Sequence, residues 1–131
     1  MTISIQHARA ILQQAELLYT HEQVQAALHK VAQQINAALA DAHPLVLSVM
    51  GGAVVFSGQL LPLLDFPLDF DYVHVSRYGD ARQGGEMQWK VEPRENVRGR
   101  VVLVLDDILD EGHTLAMLRE RVLELGASKF Y

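Results

Sequence analysis

The 131-residue sequence predicts an α/β fold, a parallel sheet flanked by helices, and three observations carry that expectation. Five consecutive apolar residues, Val101 to Leu105, suit a strand buried on both faces and run directly into Asp106 and Asp107. A second apolar run, Leu45 to Met50, passes into Gly51-Gly52 and then a helical stretch, so two junctions of strand, turn and helix are present, as neighbouring parallel strands require. Apolar residues at helical spacing, from Val24 through Leu28, Val31 and Ile35 to Leu39, supply a face to cover such a sheet.

The elements follow in order. Ser4 can cap a helix over Ile5 to Leu18, with Ala8, Ile11, Leu12, Ala15 and Leu18 on one face. Thr20 and Gln23 form a capping-box pair that opens a helix from His21 to Ala40, which Asp41-Ala42-His43-Pro44 ends because proline lacks the N–H. Leu45 to Met50 is a buried strand, and Ala53 to Leu61 is the helix after the glycine turn. Asp69 to Ser76 alternates loosely and reads as a third strand. Arg77 to Glu86 is a polar, glycine-rich loop, and Met87 to Val91 is a short strand returning from it, so residues 77–87 form a hairpin-like flap within one domain. Asn96 to Arg100 turns the chain into the Val101–Leu105 strand. Leu115, Leu118, Val122 and Leu125 then mark one helix face, Gly126 suits its C-terminal glycine, and Ser128 to Tyr131 resembles the first half of another strand.

Composition excludes several classes. The net charge of -5 and the scattered basic residues argue against nucleic acid as a partner, whose phosphates recruit clustered Lys and Arg. The absence of Cys removes disulfide and thiolate chemistry and suits a reducing compartment, so a cytoplasmic location is expected. Pro44 to Leu64 is uncharged and about long enough to cross a bilayer, but Gly51-Gly52, Ser57-Gly58-Gln59 and Pro62 interrupt it and no membrane partner is expected.

Chemistry must therefore come from oxygen and imidazole groups. Adjacent carboxylates at a strand exit, Asp106 and Asp107, can hold Mg²⁺ or accept hydrogen bonds from two vicinal sugar hydroxyls, or they can simply end a solvated strand. No GxxxxGK[ST] cradle accompanies them, so a P-loop hydrolase is not indicated. The turn Asp110-Glu111-Gly112-His113-Thr114 leads into a helix, and backbone amides there attract phosphate. Asp110 can accept a proton or cap that helix, Thr114 can cap it and also donate to phosphate, and His113 reads as a surface residue, with no second His at ligand spacing.

The stretch NVRGRVVLVLDDILDEGHTL, Asn96 to Leu115, resembles the phosphoribosyl-pyrophosphate signature of type I phosphoribosyltransferases, with flanks similar to the hypoxanthine-guanine branch. A weaker likeness takes in Thr20 to Ala40, LSVMGGAVVFSGQL, and the strand ending in VSRYG. The resemblance implies a purine-salvage transferase joining hypoxanthine or guanine to phosphoribosyl pyrophosphate with Mg²⁺, as a homodimer or homotetramer. It assigns Asp106 and Asp107 to the ribose hydroxyls and metal, Asp110 to the general base, and Asp110, Glu111, Gly112, His113 and Thr114 to the 5′-phosphate. Met50-Gly51-Gly52 becomes the pyrophosphate loop, and Tyr78 falls in the flap.

Three positions depart from that pattern. Gly51 stands where the family has Lys or Arg, Glu111 where it has Ser or Thr, and Arg77 where a Ser precedes the flap Tyr. The family reads its purine on segments after this point, so the resemblance implies that the C-terminal purine-recognition segment is not among residues 1–131. A noncatalytic sensor or regulatory module binding phosphoribosyl pyrophosphate is the alternative that Gly51, Glu111 and the missing purine segment favour.

Overall fold

The computed structural model describes residues 2–78, 86–109 and 112–131, with the side chains of Arg77, Tyr78, Glu86 and Glu95 excepted. The strands are β1 (Leu45–Met50), β2 (Asp69–Tyr78), β3 (Glu86–Val91), β4 (Val101–Leu105) and β5 (Lys129–Phe130). They form one sheet in the order β3-β2-β1-β4-β5, parallel throughout except for the antiparallel β3 at the edge. β1 is central, with Leu45 opposite Asp69 on one side and Val102 on the other. The two strand-turn-helix junctions of the sequence are thus neighbours, as expected.

Alternation along the central strands divides the core into two halves. Val46, Leu103 and Leu105 face α2 (His21–Leu39) and α3 (Val54–Leu60), packing with Leu28, Ala32, Leu39 and Leu60. Leu45, Leu47, Val49, Val73 and Val102 face the other way, onto Leu118 and Val122 of α4 (His113–Glu124). Helices on both faces explain the mostly apolar, largely buried runs of β1 and β4, in which Ser48 is the one polar residue. Each fully buried Leu or Val stabilises the sheet by roughly 1.5–3 kcal/mol.

Local signals set the ends of these elements. Thr20 and Gln23 form the reciprocal capping box, with the Thr20 N–H donating to Gln23 Oε1 at 2.8 Å and the Gln23 N–H to Thr20 Oγ1 at 3.2 Å. At the entry edge of the sheet, Arg100 Nη2 donates to Asp69 Oδ2 and to the His43 carbonyl, both at 2.9 Å, joining the starts of β1, β2 and β4. Gly126, at φ 98°, ends the turn after α4 in the left-handed region, and its carbonyl accepts from the Gly99 N–H at 2.8 Å.

The first helix is shorter than the sequence suggests. α1 spans Ile5–Gln14 and is capped by Ser4, whose Oγ accepts from the His7 N–H at 3.2 Å, but Ala15 turns to φ -65°, ψ 136° and the helix stops before Leu18. None of its residues is buried, and Leu12, Leu17 and Leu18 are 77%, 76% and 75% exposed. An amphipathic pattern propagates a helix only where its apolar face is packed, and ten residues alone are marginal. The Pro44–Leu64 stretch resolves into strand, turn and helix, and no described helix is long and apolar enough to cross a membrane.

Candidate functional site

The parallel strands deliver the two glycine-turn junctions to one edge of the sheet. β4 ends at Leu105, and Asp106 follows half-buried while Asp107 is exposed. The Asp107 N–H donates to Asp106 Oδ1 at 2.9 Å. Burial pushes the Asp106 carboxyl above its ordinary value of 3.8, the side-chain hydrogen bond with Asp107 and its negative charge add to that rise, and the Asp107 N–H opposes it. Such a carboxylate gains from any cation or hydroxyl donor that replaces the water it has lost.

β1 brings the second junction alongside. Its chain turns at Met50, Gly51 and Gly52, closed by the Ala53 N–H donating to the Val49 carbonyl at 3.1 Å and the Val54 N–H to the Gly51 carbonyl at 3.2 Å. The Met50–Gly51 peptide is cis. Gly52 lies directly under the Asp107 side chain, where a Cβ would fall 2.7 Å from both carboxylate oxygens. Only glycine allows this approach of turn to carboxylate. A Cβ on Gly51 would instead meet nothing within 4 Å, so a side chain there would enter open space.

The third component is the start of α4. Gly112 is its N-cap at φ 80°, a left-handed conformation that suits glycine, and among the described residues no side chain caps the helix. Thr114 therefore lies within the first turn and does not serve as the cap, and its hydroxyl donates to Met87 Sδ at 3.5 Å, linking the helix start to β3. His113 is exposed, as the sequence suggests. Asp110 and Glu111, the sequence's base candidate and its least conforming residue, lie outside the described residues. Tyr78 is the last residue of β2, with only its backbone described, and the returning strand β3 pairs with β2 as the hairpin reading requires.

A cavity of about 420 Å³ adjoins the carboxylates, walled by α2 from Val24 to Val31, by Val55, Phe56 and Gln59 of α3, and by Gly52, Asp106 and Asp107. The sequence did not point to Gln59 or to this wall of α2. Only the helical phase of α2, which turns Val24 and Val31 toward α3, could have suggested it. Among the described residues no group of three or more His, Cys, Asp or Glu side chains stands together. Asp106 and Asp107 alone suit a hard cation that takes its remaining oxygens from water and a phosphorylated substrate, which is the habit of magnesium.

Comparison with known proteins gives the same outline. The family model of the phosphoribosyl transferase domain matches residues 14–130, leaving most of α1 outside. The hypoxanthine-guanine-xanthine phosphoribosyltransferase of Tritrichomonas foetus is 33% identical over 102 residues, covering 78% of this chain and 56% of that protein. A hypoxanthine-guanine phosphoribosyltransferase of Streptococcus pneumoniae is 28% identical over 114 residues, 86% of this chain and 63% of its own length. The chain thus spans 56% and 63% of these curated relatives. Among solved structures, a hypoxanthine phosphoribosyltransferase from Staphylococcus aureus superposes with a TM-score of 0.82 at 23% identity, covering 97% of this chain and 67% of that one, a likeness of fold. A hypoxanthine-guanine phosphoribosyltransferase from Bacillus anthracis gives 0.80 at 25% identity, with coverage of 88% and 69%. With the family model spanning residues 14–130, nearly the whole chain, the chain belongs to the phosphoribosyl transferase domain family.

Proposed function

We propose that the protein is a purine-salvage transferase that converts hypoxanthine or guanine and phosphoribosyl pyrophosphate into the nucleoside monophosphate and pyrophosphate. The observation that carries this reading is the meeting of Asp107 with Gly52, which sets a carboxylate pair against a glycine turn at the exit of two parallel strands. In α/β sheets that edge is where ligands lie.

Each residue then has a role. Asp106 and Asp107 accept hydrogen bonds from the ribose hydroxyls and orient the anomeric carbon toward the purine. Gly112, His113 and Thr114 offer first-turn amides and a hydroxyl to the 5′-phosphate, with Asp110 and Glu111 completing that turn. Met50, Gly51 and Gly52 face the pyrophosphate as it departs. Asp110 takes the proton that the purine loses on forming its new bond to the sugar. Asp106 and Asp107 would hold magnesium, which when bound supplies positive charge to the departing pyrophosphate. Tyr78, at the end of β2, belongs to the flap of residues 77–87 that excludes water from the cation-like sugar centre.

This reading carries further parts. Residues 1–131 act as a single domain. A homodimer or homotetramer would cover Phe70 and Tyr72, which alternate on one face of β2 and are 45% and 39% exposed. The net charge of -5 and the small-molecule substrates suit a cytoplasmic enzyme without a nucleic-acid or membrane partner. A second reading, a noncatalytic sensor of phosphoribosyl pyrophosphate, is favoured by one observation, the lack of a side chain at Gly51.

A magnesium-dependent assay of the complete gene product with hypoxanthine, guanine, xanthine and adenine separates the two. Turnover of hypoxanthine or guanine supports the transferase. Binding of phosphoribosyl pyrophosphate with no turnover of any base overturns it in favour of the sensor.

A further inference from the structure

We propose that Ser48 and Ser57 are positioning residues, whose hydrogen bond holds the Met50–Gly51–Gly52 turn where a departing pyrophosphate needs its backbone donors. The inference rests on reading that turn as the pyrophosphate loop. Ser48 lies on β1 just before the turn and Ser57 on α3 just after it, with their hydroxyl oxygens 2.7 Å apart. They are 0% and 3% exposed, and among the described residues they are the buried polar side chains of an otherwise Leu, Val and Ala core. Both satisfy each other, and no buried side-chain nitrogen or oxygen is left without a partner among the described residues.

Their place explains why a polar pair stands there. Apolar contacts between a strand and a helix tolerate sliding by fractions of an ångström, whereas a short buried hydrogen bond fixes one distance. This bond spans the turn from outside, while the Ala53-to-Val49 and Val54-to-Gly51 bonds close it from within. Gly52 in turn backs onto the Asp107 carboxylate. A shift of α3 along β1 would therefore move the turn and the carboxylate together.

The absence of a side chain at Gly51 gives that rigidity a purpose. A lysine can follow a moving anion by rotating its stem, but a backbone N–H is aimed only by the backbone that carries it. A turn that offers pyrophosphate nothing except main-chain donors depends on how firmly its two ends are tied.

The test compares Ser48→Ala, Ser57→Ala and the double variant in the complete gene product, measuring KM for phosphoribosyl pyrophosphate, kcat and Tm. Each single variant is expected to raise that KM by roughly five- to tenfold, within the range set by small misplacements of binding groups, and to leave kcat within about twofold. The double variant leaves no hydroxyl orphaned, so it retains the fold; its KM should match that of the worse single variant, because the pair acts as one unit. A double variant that folds and keeps the wild-type KM overturns the inference, even if Tm has fallen, while the purine-transferase reading stands. Failure of the wild type itself to bind phosphoribosyl pyrophosphate removes that reading and the inference with it.

Discussion

The carboxylate of Asp107 rests against the Cα of Gly52, close enough that a methyl group on the glycine would lie 2.7 Å from both oxygens. Two residues far apart in sequence thereby share one surface at the exit of β1 and β4. Gly52→Ala must push Asp107 aside, and because that side chain is exposed it can swing into water at small cost to the fold. We expect the KM for phosphoribosyl pyrophosphate to rise roughly ten- to a hundredfold, the scale of a misplaced orienting group, with Tm lowered by only a few degrees. Circular dichroism melts beside steady-state kinetics check this, and a large drop in Tm with unchanged KM would contradict it.

Gly51 makes the opposite prediction, since a side chain there meets nothing within 4 Å. Gly51→Lys should restore a cation to the turn and tighten pyrophosphate binding by roughly tenfold, the effect of a charge-assisted hydrogen bond of about 1.5 kcal/mol. Product inhibition by pyrophosphate reports it directly. The gain should shrink as salt is added.

Asp106 links the site to stability. Its carboxyl is raised above 3.8 by burial and by its neighbour Asp107, so the folded state binds that proton more tightly than the unfolded chain does. Stability is then greatest, as far as this group is concerned, below the ordinary value and falls as pH rises through the folded one. Asp106→Asn should melt above the wild type at pH 7 without added magnesium, and the difference should vanish below about pH 3.8, where both forms are neutral. The same substitution should lower kcat/KM by about a hundredfold through lost ribose orientation. Thermal melts across that pH range decide the first half, and a variant less stable at neutral pH would refute it.

Asp110→Asn separates proton transfer from binding. Loss of a general base costs typically a hundredfold or more in kcat, roughly 10²–10⁴, whereas the KM for phosphoribosyl pyrophosphate should stay within about threefold. Equal turnover in the variant would remove Asp110 from the mechanism.

Much of this arrangement is legible in the sequence where a signal is local. The Thr20–Gln23 capping box, the apolar runs of β1 and β4, and the return strand β3 all depend on neighbours within a few residues. α1 shows the limit of such reading, because Ser4 announces its start but nothing in the sequence says whether Ile11 and Leu12 have a surface to cover. The contact of Gly52 with Asp107 is set by strand order, which periodicity does not specify. Ser48 and Ser57 left a faint trace, as lone hydroxyls inside LVLSVM and VVFSGQL, yet their pairing needs the register of α3 on β1.

The position of β1 has a bearing on how the protein is made. Leu45 finds one partner at Asp69 and the other only at Val102, so during synthesis one edge of β1 stays open after β2 has emerged. At about 5–20 residues per second the ribosome needs several seconds to deliver β4. Throughout that interval the side of β1 that later meets β4 presents unpaired backbone N–H and C=O groups, the kind of edge on which chains aggregate. The strand that organises the finished site is thus left with one open edge while the rest of the sheet is made.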